Sequence, residues 1–336
     1  MTAPGPIAVI GAGSWGTALA IHLARAGRAV KLWAREPEVA DGIRTTRRNP
    51  WYLADVDMPA GIAATADLGE ATQGTSLVIV AVPSEFVGVT LKGLDTPPAG
   101  TAIVSATKGF DPVHHLRMTE IVAGRFPDAR VAALSGPTFA REVAHNRPTA
   151  AVLAAPDLAL ARELQERLGT REFRLYTNRD VVGVETGGAL KNVMAIATGL
   201  ADGLGLGENA RAALVTRGLA EMTRLAVALG GQAATLAGLS GLGDLVLTAT
   251  GSLSRNRALG MALAGGRTIG QVEAETRMVA EGVPTVRSAS ASAERRGVSL
   301  PICGEVGAVL FEGKAPADAL ASLLARAATR EDHGDA

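Results

Sequence analysis

Short apolar runs alternate with helical patterns along the first half of the chain. The runs are IAVIG, AVKLWAR, SLVIVAVP, TAIVSATKG, VAALSGP, TAAVLAAP and, ending at Asn178, FRLYTN. They are rich in β-branched residues and lack polar alternation, which is typical of strands covered on both faces. Strands alternating with helices predict right-handed βαβ units. We therefore expect a doubly wound parallel sheet over residues 1–178.

From residue 179 onward the pattern is helical, which predicts an all-α second domain over 179–328. Pro301 and Pro316 each stand where a proline suits a first helical turn. For one long helix, Asn209 is a candidate N-cap and Gly230 a candidate stop. The apolar stripe of that helix consists of Val215, Leu219, Met222, Ala226 and Leu229. The polar residues 329–336 offer no apolar anchor and are expected to form a disordered tail.

Composition then excludes several classes of protein. Thirty-three basic and 33 acidic residues give zero net charge, so no global field favours nucleic acid or an anionic membrane. A single cysteine, Cys303, excludes an intramolecular disulfide and a C-x-x-C pair, which favours a cytoplasmic setting. The apolar stretches are interrupted before the ~20 residues that span a bilayer, and the amino end lacks the pattern of a signal peptide. We expect a soluble protein that binds anions only locally.

The first strand and helix carry a dinucleotide fingerprint. Gly11, Gly13 and Gly16 form G-x-G-x-x-G between a strand and an amphipathic helix. In this context Gly11 permits a tight turn, Gly13 lets the backbone approach a pyrophosphate, and Gly16 allows close packing of the helix. The N-terminus of the helix supplies amide donors for the pyrophosphate. The second strand ends in Ala34 and Arg35 rather than in an acid. The guanidinium of Arg35 either binds a 2′-phosphate, which favours NADPH, or is a solvated surface group beside Glu36.

Other strand ends point to the same crevice, because ligands of open parallel sheets lie beyond the carboxyl ends of the strands. Lys108 follows TAIVSAT, and Gly136 and Thr138 follow VAALS. Lys108 either reaches a phosphate or substrate oxygen, or is an exposed turn lysine.

Hydride transfer to a carbonyl needs a proton or cation on the developing oxyanion. Four histidines are expected in the first helix, in a loop or in the tail, and His145 is isolated without a predicted element. No metal-binding or G-x-S-x-G motif is present. Lysine is the remaining donor. Lys191, in GGALKNVMAIATGLADG, is either held in a cleft with a lowered pKa or carried by its long stem to the surface. The residues alone leave both readings open.

A second polar constellation lies between 239 and 260. Asp244 is expected in a glycine-bounded turn, and Ser254, Arg255 and Asn256 combine a hydroxyl, a guanidinium and an amide. These groups suit a phosphate, and Ser254 or Asn256 is also a candidate helix N-cap.

The chain resembles the bacterial NAD(P)-dependent glycerol-3-phosphate dehydrogenases over about 7–326. The motifs that carry the resemblance are GAGSWGTALA, ATKGF, SGPTFAREV, GGALKNVMAIATGLADGLGLGENARAALVTRGLAEM, GLGDLVLT, SRNR and VAEGVPT. The stretch after GLGDLVLT has Ala249 where relatives often have cysteine. The resemblance implies a Rossmann-type sheet followed by a helical domain, a fold of the 6-phosphogluconate-dehydrogenase kind. It also implies reversible reduction of dihydroxyacetone phosphate to sn-glycerol 3-phosphate for phospholipid synthesis, by a cytoplasmic homodimer.

The resemblance also assigns roles to single residues. It makes Lys191 the proton donor in reduction and the acceptor in oxidation. The position of Arg35 favours NADP(H) as the cofactor, with NAD(H) as the alternative, and the sequence has no metal-site motif. The implied cofactor contacts are Gly11, Gly13, Ser14, Trp15, Gly16, Arg35, Lys108, Ala140, Arg255, Val279 and Glu281. The implied substrate contacts are Lys108, Gly136, Thr138, Lys191, Asp244, Ser254, Arg255 and Asn256.

Two rival hypotheses remain. One is a dehydrogenase of similar architecture that acts on another hydroxy acid or sugar derivative, against which SRNR and SGPTFA speak. The other is a dinucleotide-sensing protein without turnover, in which Lys191 would be dispensable. A substrate assay separates the three hypotheses.

Overall fold

A computed structural model describes residues 5–275 and 280–326. Its first part contains one sheet of eight strands. In chain order these are β1 (Ile7–Ile10), β2 (Val30–Trp33), β3 (Ile62–Thr65), β4 (Leu77–Val80), β5 (Ala102–Ser105), β6 (Arg130–Ser135), β7 (Thr149–Ala154) and β8 (Phe173–Asn178). The helices between them are α1 (Ser14–Arg25), α2 (Pro37–Thr46), α3 (Leu68–Thr72), α4 (Ser84–Lys92), α5 (Met118–Arg125), α6 (Ala140–Ala144) and α7 (Leu158–Leu168).

The strand order is β3-β2-β1-β4-β5-β6-β7-β8, so the chain winds outward from β1 in both directions. Ile7 of β1 pairs in parallel register with Val30 on one side and Leu77 on the other. The expected doubly wound sheet is confirmed, with one departure: β7 runs antiparallel to β6, and β8 is parallel to β7. The hydrophobic pattern also missed β3, whose sequence IAAT is short and rich in alanine.

Each face of the sheet carries its own apolar core, as expected for strands buried on both sides. Ile7 and Val9 belong to one core cluster, whereas Ala8 and Ile10 belong to another. Successive side chains of a strand point to opposite faces, so the alternation assigns the two clusters to the two faces. Helices therefore cover both sides of the sheet.

Every regular element after β8 is helical within the described residues. These elements are α8 (Val181–Gly203), α9 (Gly207–Ala228), α10 (Ala233–Leu236), a π-helical turn (Leu239–Gly243), α11 (Asp244–Thr250), α12 (Arg255–Ala264), α13 (Ile269–Ala274), α14 (Gly282–Glu294), α15 (Pro301–Phe311) and α16 (Pro316–Leu324). Pro301 and Pro316 open α15 and α16 as predicted. The N-cap of α9 is Leu206, so the prediction of Asn209 as its cap is wrong. Of the α9 stripe, Met222 and Ala226 are fully buried.

Helix α8 is the centre of the helical half. It is buried on nearly every side, and Leu190, Val193 and Ile196 belong to a core cluster separate from those of the sheet. Helix α12 crosses it so closely that a Cβ on Gly199 of α8 would lie 2.1 Å from the carbonyl oxygen of Arg257. The small residues of α8 thus allow neighbouring helices to approach its backbone, and polar groups on α8 are held in fixed positions.

One stretch, Ala233–Thr250, is apolar and long enough to cross a membrane by length and composition alone. The same criterion is also met by core helices of soluble proteins, and 44% of this stretch is buried inside the protein. The structure divides it among α10, the π-helical turn and α11, and it contains the buried Asp244. It is therefore weak evidence for a membrane span. The predicted tail over 329–336 lies outside the described residues.

Candidate active site

A cleft of about 390 Å³ lies at the carboxyl edge of the sheet, between it and the helical half. Its walls come from the start of α1, the loop after α2, the loops after β5 and β6, helices α6, α8 and α11, the start of α12 with the residues before it, and the residue before α14. The lining residues are Ser14, Trp15, Tyr52, Leu53, Asp55, Ala106, Lys108, Thr138, Phe139, Ala140, Arg141, Lys191, Asn192, Thr248, Leu253, Ser254, Arg255, Asn256 and Glu281. No histidine lines it among the described residues.

The glycine-rich turn between β1 and α1 adjoins the cleft, which Ser14 and Trp15 line directly after it. Gly11 has a φ of +115°, and a Cβ there would lie 2.7 Å from the carbonyl oxygen of Ala81. A Cβ on Gly16 would lie 1.8 Å from the carbonyl oxygen of Gly11, whereas Gly13 faces open space. Since no side chain caps the N-terminus of α1, its backbone amides and positive dipole end suit a pyrophosphate. The geometry fits a dinucleotide.

Two neighbouring side chains fasten this turn to the loops around it. The indole Nε1 of Trp15 donates to the carbonyl oxygen of Ala106, beyond β5, at 3.0 Å. The hydroxyl of Ser14 donates to the carbonyl oxygen of Tyr52 at 3.2 Å. Both side chains therefore help to shape the cofactor end of the cleft.

Asn49 connects two segments by hydrogen bonds, and sequence reasoning did not single it out. It is fully buried, and its Nδ2 donates at 2.8 Å to both the carbonyl oxygen of Ala12 and Oγ1 of Thr17. Its Oδ1 accepts from the backbone N–H groups of Trp51 and Tyr52 at 3.2 Å each. The loop after α2 is thereby fixed against the glycine-rich turn.

Arg35 lies just after β2 and does not line the cleft. Its side chain is 66% exposed, and its guanidinium donates to Oε1 of Glu36 through Nε at 2.9 Å and Nη2 at 2.6 Å. The guanidinium also lies 5.5 Å from the ring centroid of Phe86. The structure is compatible with both alternatives raised by the sequence. The guanidinium of Arg35 is accessible to a phosphate, and the carboxylate of Glu36 competes with a phosphate for it.

Lys108, beyond β5, reaches across the cleft to the helical half. Its Nζ donates to the carbonyl oxygen of Gly136 at 2.8 Å, to Oγ1 of Thr138 at 3.2 Å and to Oδ2 of Asp244 at 2.6 Å. Its side chain is only 10% exposed. Lys108 is therefore not an exposed turn lysine.

Lys191 meets the other oxygen of the same carboxylate. Its Nζ lies 3.1 Å from Oδ1 of Asp244 and donates to Oγ1 of Thr248 at 2.8 Å. Desolvation lowers the pKa of Lys191 to about 8, because burial outweighs the opposing charge of Asp244. The structure therefore excludes a surface-directed Lys191. We call Lys108, Asp244 and Lys191 the lysine–aspartate network.

Asp244 is fully buried and is the first residue of α11, so it lies at a helix start rather than in the expected turn. Thr248 follows four residues later on the same helical face. Its hydroxyl lies within hydrogen-bond distance of both the carbonyl oxygen and Oδ1 of Asp244, at 2.7 and 3.3 Å. Sequence reasoning did not single out Thr248, although its spacing from Asp244 was the available signal.

The residues 254–256 lie at the start of α12. Ser254 is the N-cap and accepts from the backbone N–H of Arg257 at 3.2 Å, which confirms the capping prediction for this residue. Arg255 is exposed to the cleft and forms no ion pair or hydrogen bond with any described residue. A guanidinium beside a helix N-terminus suits a phosphate.

Asn256 is already occupied by two protein contacts. Its Nδ2 donates to Oδ1 of Asn192 at 2.9 Å, and its Oδ1 accepts from the backbone N–H of Gly282 at 3.0 Å. Asn256 thus connects α8 to α14 and is not a helix cap. The buried Nδ2 of Asn192, next to Lys191 in sequence, has no hydrogen-bond partner in the described chain. It is a donor at the cleft that the sequence analysis did not assign.

Glu281 and Ala140 both line the cleft. Burial raises the pKa of Glu281, although the charges of Arg255, Lys191 and Lys108 oppose this shift. A further ion pair borders the cleft, between Nη2 of Arg141 and Oδ2 of Asp55 at 2.8 Å. Val279, which the resemblance places at the cofactor, lies outside the described residues.

Comparisons with known proteins identify the family of this chain. Residues 6–161 match the family model described as the NAD-dependent glycerol-3-phosphate dehydrogenase N-terminus, and 180–321 match the corresponding C-terminus. The chain belongs to this family. Its members are oxidoreductases, so the expected family, enzyme class and fold are confirmed.

Individual relatives cover nearly the whole chain. The glycerol-3-phosphate dehydrogenase (NAD(P)+) of Rhodospirillum rubrum is 53% identical over 95% of this chain and 92% of its own length. That of a Geobacter species, strain M21, is 50% identical over 95% of this chain and 97% of its own. The crystal structure of glycerol-3-phosphate dehydrogenase from Coxiella burnetii superposes with a TM-score of 0.91 at 40% identity, covering 96% of this chain and 99% of that one.

Proposed function

We propose that this protein catalyses the reversible NAD(P)H-dependent reduction of dihydroxyacetone phosphate to sn-glycerol 3-phosphate, the reaction that feeds glycerophospholipid synthesis. The observation that carries the proposal is the lysine–aspartate network. Its Lys108 and Lys191 line one cleft together with Ser14 and Trp15, which follow the glycine-rich turn, and with Arg255, which has no ion-pair partner among the described residues. A dinucleotide site, a proton donor and a phosphate-binding group are the three parts that this reaction needs.

The cofactor supplies the hydride when it is bound. Gly11, Gly13 and Gly16 would hold its pyrophosphate at the N-terminus of α1, beside Ser14 and Trp15. Further contacts would come from Lys108, Ala140, Arg255 and Glu281, which all line the cleft. We assign Val279 to this group on the family resemblance alone. NAD and NADP both fit the family's description, and the accessible Arg35 favours NADP(H).

Lys191 is the proposed acid and base. With a pKa of about 8 its ammonium is protonated at neutral pH and gives its proton to the substrate oxygen as negative charge develops there. In the oxidative direction the neutral amine takes the proton back. Asp244 and Thr248 hold Nζ of Lys191 in place before the substrate reacts. The ammonium therefore loses little conformational entropy on reaching the transition state.

Lys108 is the proposed electrostatic partner. It shares Asp244 with Lys191, and its charge favours the loss of the proton from Lys191. Gly136 and Thr138 accept from Lys108 and fix its ammonium beside the substrate. The lysine–aspartate network thus places two cations on one buried carboxylate, which leaves net positive charge for an oxyanion.

The substrate phosphate is proposed to bind at the start of α12. Arg255 offers a guanidinium that has no hydrogen-bond or ion-pair partner in the part of the chain that the structure describes. Ser254 retains its hydroxyl hydrogen while its oxygen caps the helix. The side chain of Asn256 supports this site by holding Asn192 and Gly282 in position. Its backbone N–H, in the first turn of α12, is available to the phosphate. Local positive charge and helix amides explain how a chain of zero net charge selects an anionic substrate.

The deciding experiment measures oxidation of NADPH and NADH in the presence of dihydroxyacetone phosphate, with dihydroxyacetone as the matched substrate without phosphate. We expect turnover with the phosphate ester and far less with the free ketone. Higher activity on a non-phosphorylated ketone would favour the rival dehydrogenase hypothesis. Cofactor binding without turnover on any ketone would favour the dinucleotide-sensing hypothesis.

We also infer the organisation of the chain in solution. A dinucleotide-binding domain over 1–178 and a helical domain over 179–328 are supported by the end of β8 at Asn178 and by the separate apolar cores. A cytoplasmic homodimer follows from the family resemblance. Sedimentation at micromolar concentration tests the dimer, and a monomeric species would contradict it.

A further inference from the structure

A buried carboxylate joins α8 to the sheet half at a point that does not line the cleft. Glu185 is 7% exposed, and its Oε1 accepts from the backbone N–H of Thr119 at 2.9 Å. Its Oε2 accepts from Nη1 of Arg117 at 2.9 Å and from the hydroxyl of Thr119. Burial raises the pKa of Glu185, while the charge of Arg117 and the donors on Thr119 oppose this. Three donors on one buried carboxylate fix its position.

Its partners at the start of α5 are rigidly connected to Lys108. Phe110 and Arg117 form an antiparallel bridge, and the backbone N–H of Asp111 donates to the carbonyl oxygen of Leu116 at 2.9 Å. Oδ2 of Asp111 accepts from the backbone of Val113 at 3.1 Å inside the same loop. Lys108 is two residues before this bridge. We therefore expect a shift of Arg117 to move the backbone next to Lys108.

The same loop is also attached to α14. The hydroxyl of Ser288 donates to the carbonyl oxygen of Asp111 at 3.1 Å and lies 3.2 Å from Nδ1 of His115. Glu281, which lines the cleft, directly precedes α14. Two elements of the helical half thus hold the loop after Lys108.

On the other side, Lys191 follows Glu185 by six residues on the same helix, a rise of about 9 Å. The ammonium groups of Lys108 and Lys191 then meet on the two oxygens of Asp244. The connections form a closed ring: Lys108, the loop to Arg117, Glu185, helix α8, Lys191 and back through Asp244.

We propose that Glu185 is a positioning residue whose bonds to Arg117 and Thr119 set the spacing between Lys108 and Lys191 across the two halves of the molecule. The inference rests on the proposed roles of those lysines. Without this brace, only the contacts at the ammonium groups themselves would remain to hold the two lysines at the distances that the reaction needs. Those contacts are with Asp244, with Gly136 and Thr138 for Lys108, and with Thr248 for Lys191. A displacement of about 1 Å at reacting groups costs on the order of 10²-fold in rate.

The test compares Glu185→Gln with the matched control Glu120→Gln. Glu120 also accepts from Arg117, at 2.9 Å, but it is on α5 itself and its side chain is 43% exposed. For each variant, NADPH-binding sites are titrated, and kcat per site and KM for dihydroxyacetone phosphate are measured. We expect Glu185→Gln to lower kcat per site about 10–100-fold, with NADPH affinity within about threefold. Glu120→Gln should stay within about twofold in every parameter.

The titration separates positioning from a purely structural role, because partial unfolding lowers the number of sites and leaves kcat per site unchanged. If the wild type is active and Glu185→Gln has the same kcat per site, this inference is overturned and the proposed function is not affected. A wild type that does not turn over dihydroxyacetone phosphate overturns the proposed function. If Glu185→Gln does not fold, Thr119→Val removes only one donor, and we expect a loss of about 3–10-fold. Unchanged turnover in that variant then overturns the inference.

Discussion

Two charged clusters lie at the carboxyl edge of the sheet, and they hold their charges in opposite ways. Arg35, after β2, is exposed and pairs with its neighbour in the chain, Glu36. Lys108, after β5, is buried and pairs with Asp244, which is 136 residues away in sequence. Water and salt screen the first pair strongly and the second much less. This difference supports the proposal that the buried cluster carries the chemical step and that the exposed one sets cofactor preference.

Replacing Lys191, the proposed acid, should have the largest effect on the activity that depends on the buried cluster. We expect Lys191→Met to reduce kcat by about 10³–10⁴-fold, because both the proton donor and a charge facing the oxyanion are lost. NADPH affinity, measured by fluorescence titration, should change little. Lys314→Met is the control, since Lys314 pairs with Glu305 on α15 outside the cleft. Substantial turnover in Lys191→Met would remove Lys191 from the mechanism.

The shared carboxylate should control the pH dependence. In the wild type, reduction needs protonated Lys191, so kcat/KM for dihydroxyacetone phosphate should fall about tenfold per pH unit above a pKa of about 8. The charge of Asp244 raises the pKa of Lys191, and that of Lys108 lowers it. Asp244→Asn should therefore move the falling limb to lower pH and reduce kcat by about 10²-fold. The control Asp55→Asn, at the exposed edge of the cleft, should keep the wild-type profile, and an unshifted limb in Asp244→Asn would contradict the network.

Reversing the charge of the exposed cluster should change cofactor preference instead of chemistry. For Arg35→Asp we expect the ratio of kcat/KM for NADPH over NADH to fall about 10–100-fold, because a charge-assisted phosphate contact is lost. The kcat with saturating NADH should remain near that of the wild type. An unchanged ratio would mean that Arg35 faces solvent in the working enzyme.

The smallest effect should come from the partner of Arg35. Glu36→Gln removes a carboxylate that lies 2.6 Å from the guanidinium without changing the length of the side chain. We expect the NADPH/NADH ratio to rise by up to about fivefold, since exposed ion pairs contribute 0–1 kcal/mol. Glu38→Gln, in the first turn of α2, is the matched control. A shift toward NADH in Glu36→Gln would contradict competition for the guanidinium.

The sequence predicted those parts of the site that are carried by local pattern. The glycine-rich turn, Lys108 after an apolar strand and Ser254 before a helix are each visible in a few consecutive residues. Lys191 was ambiguous, because its burial depends on how α11 and α12 pack around α8. The family resemblance gave its role, and the structure gave its environment.

The parts that the sequence did not reveal depend on contacts between distant positions. Glu185 meets Arg117 across 68 residues, and Lys191 meets Thr248 across 57. No hydrophobic period encodes such pairs. The missed strand β3 and the antiparallel β7 have a related cause, since short alanine-rich runs carry a weak pattern and strand direction is set by tertiary packing.

The close contact of α8 with α12 determines which mutations the chain tolerates. Alanine usually stabilises a helix relative to glycine, by roughly 0.5–1 kcal/mol. At Gly199 the added methyl group would meet the carbonyl oxygen of Arg257, and at Gly260 it would meet that of Ile196 at 2.2 Å. Each change would push α12 away, and Arg255 would move with it. We therefore expect substitutions at these two glycines to disturb the proposed phosphate site, although neither residue lines it.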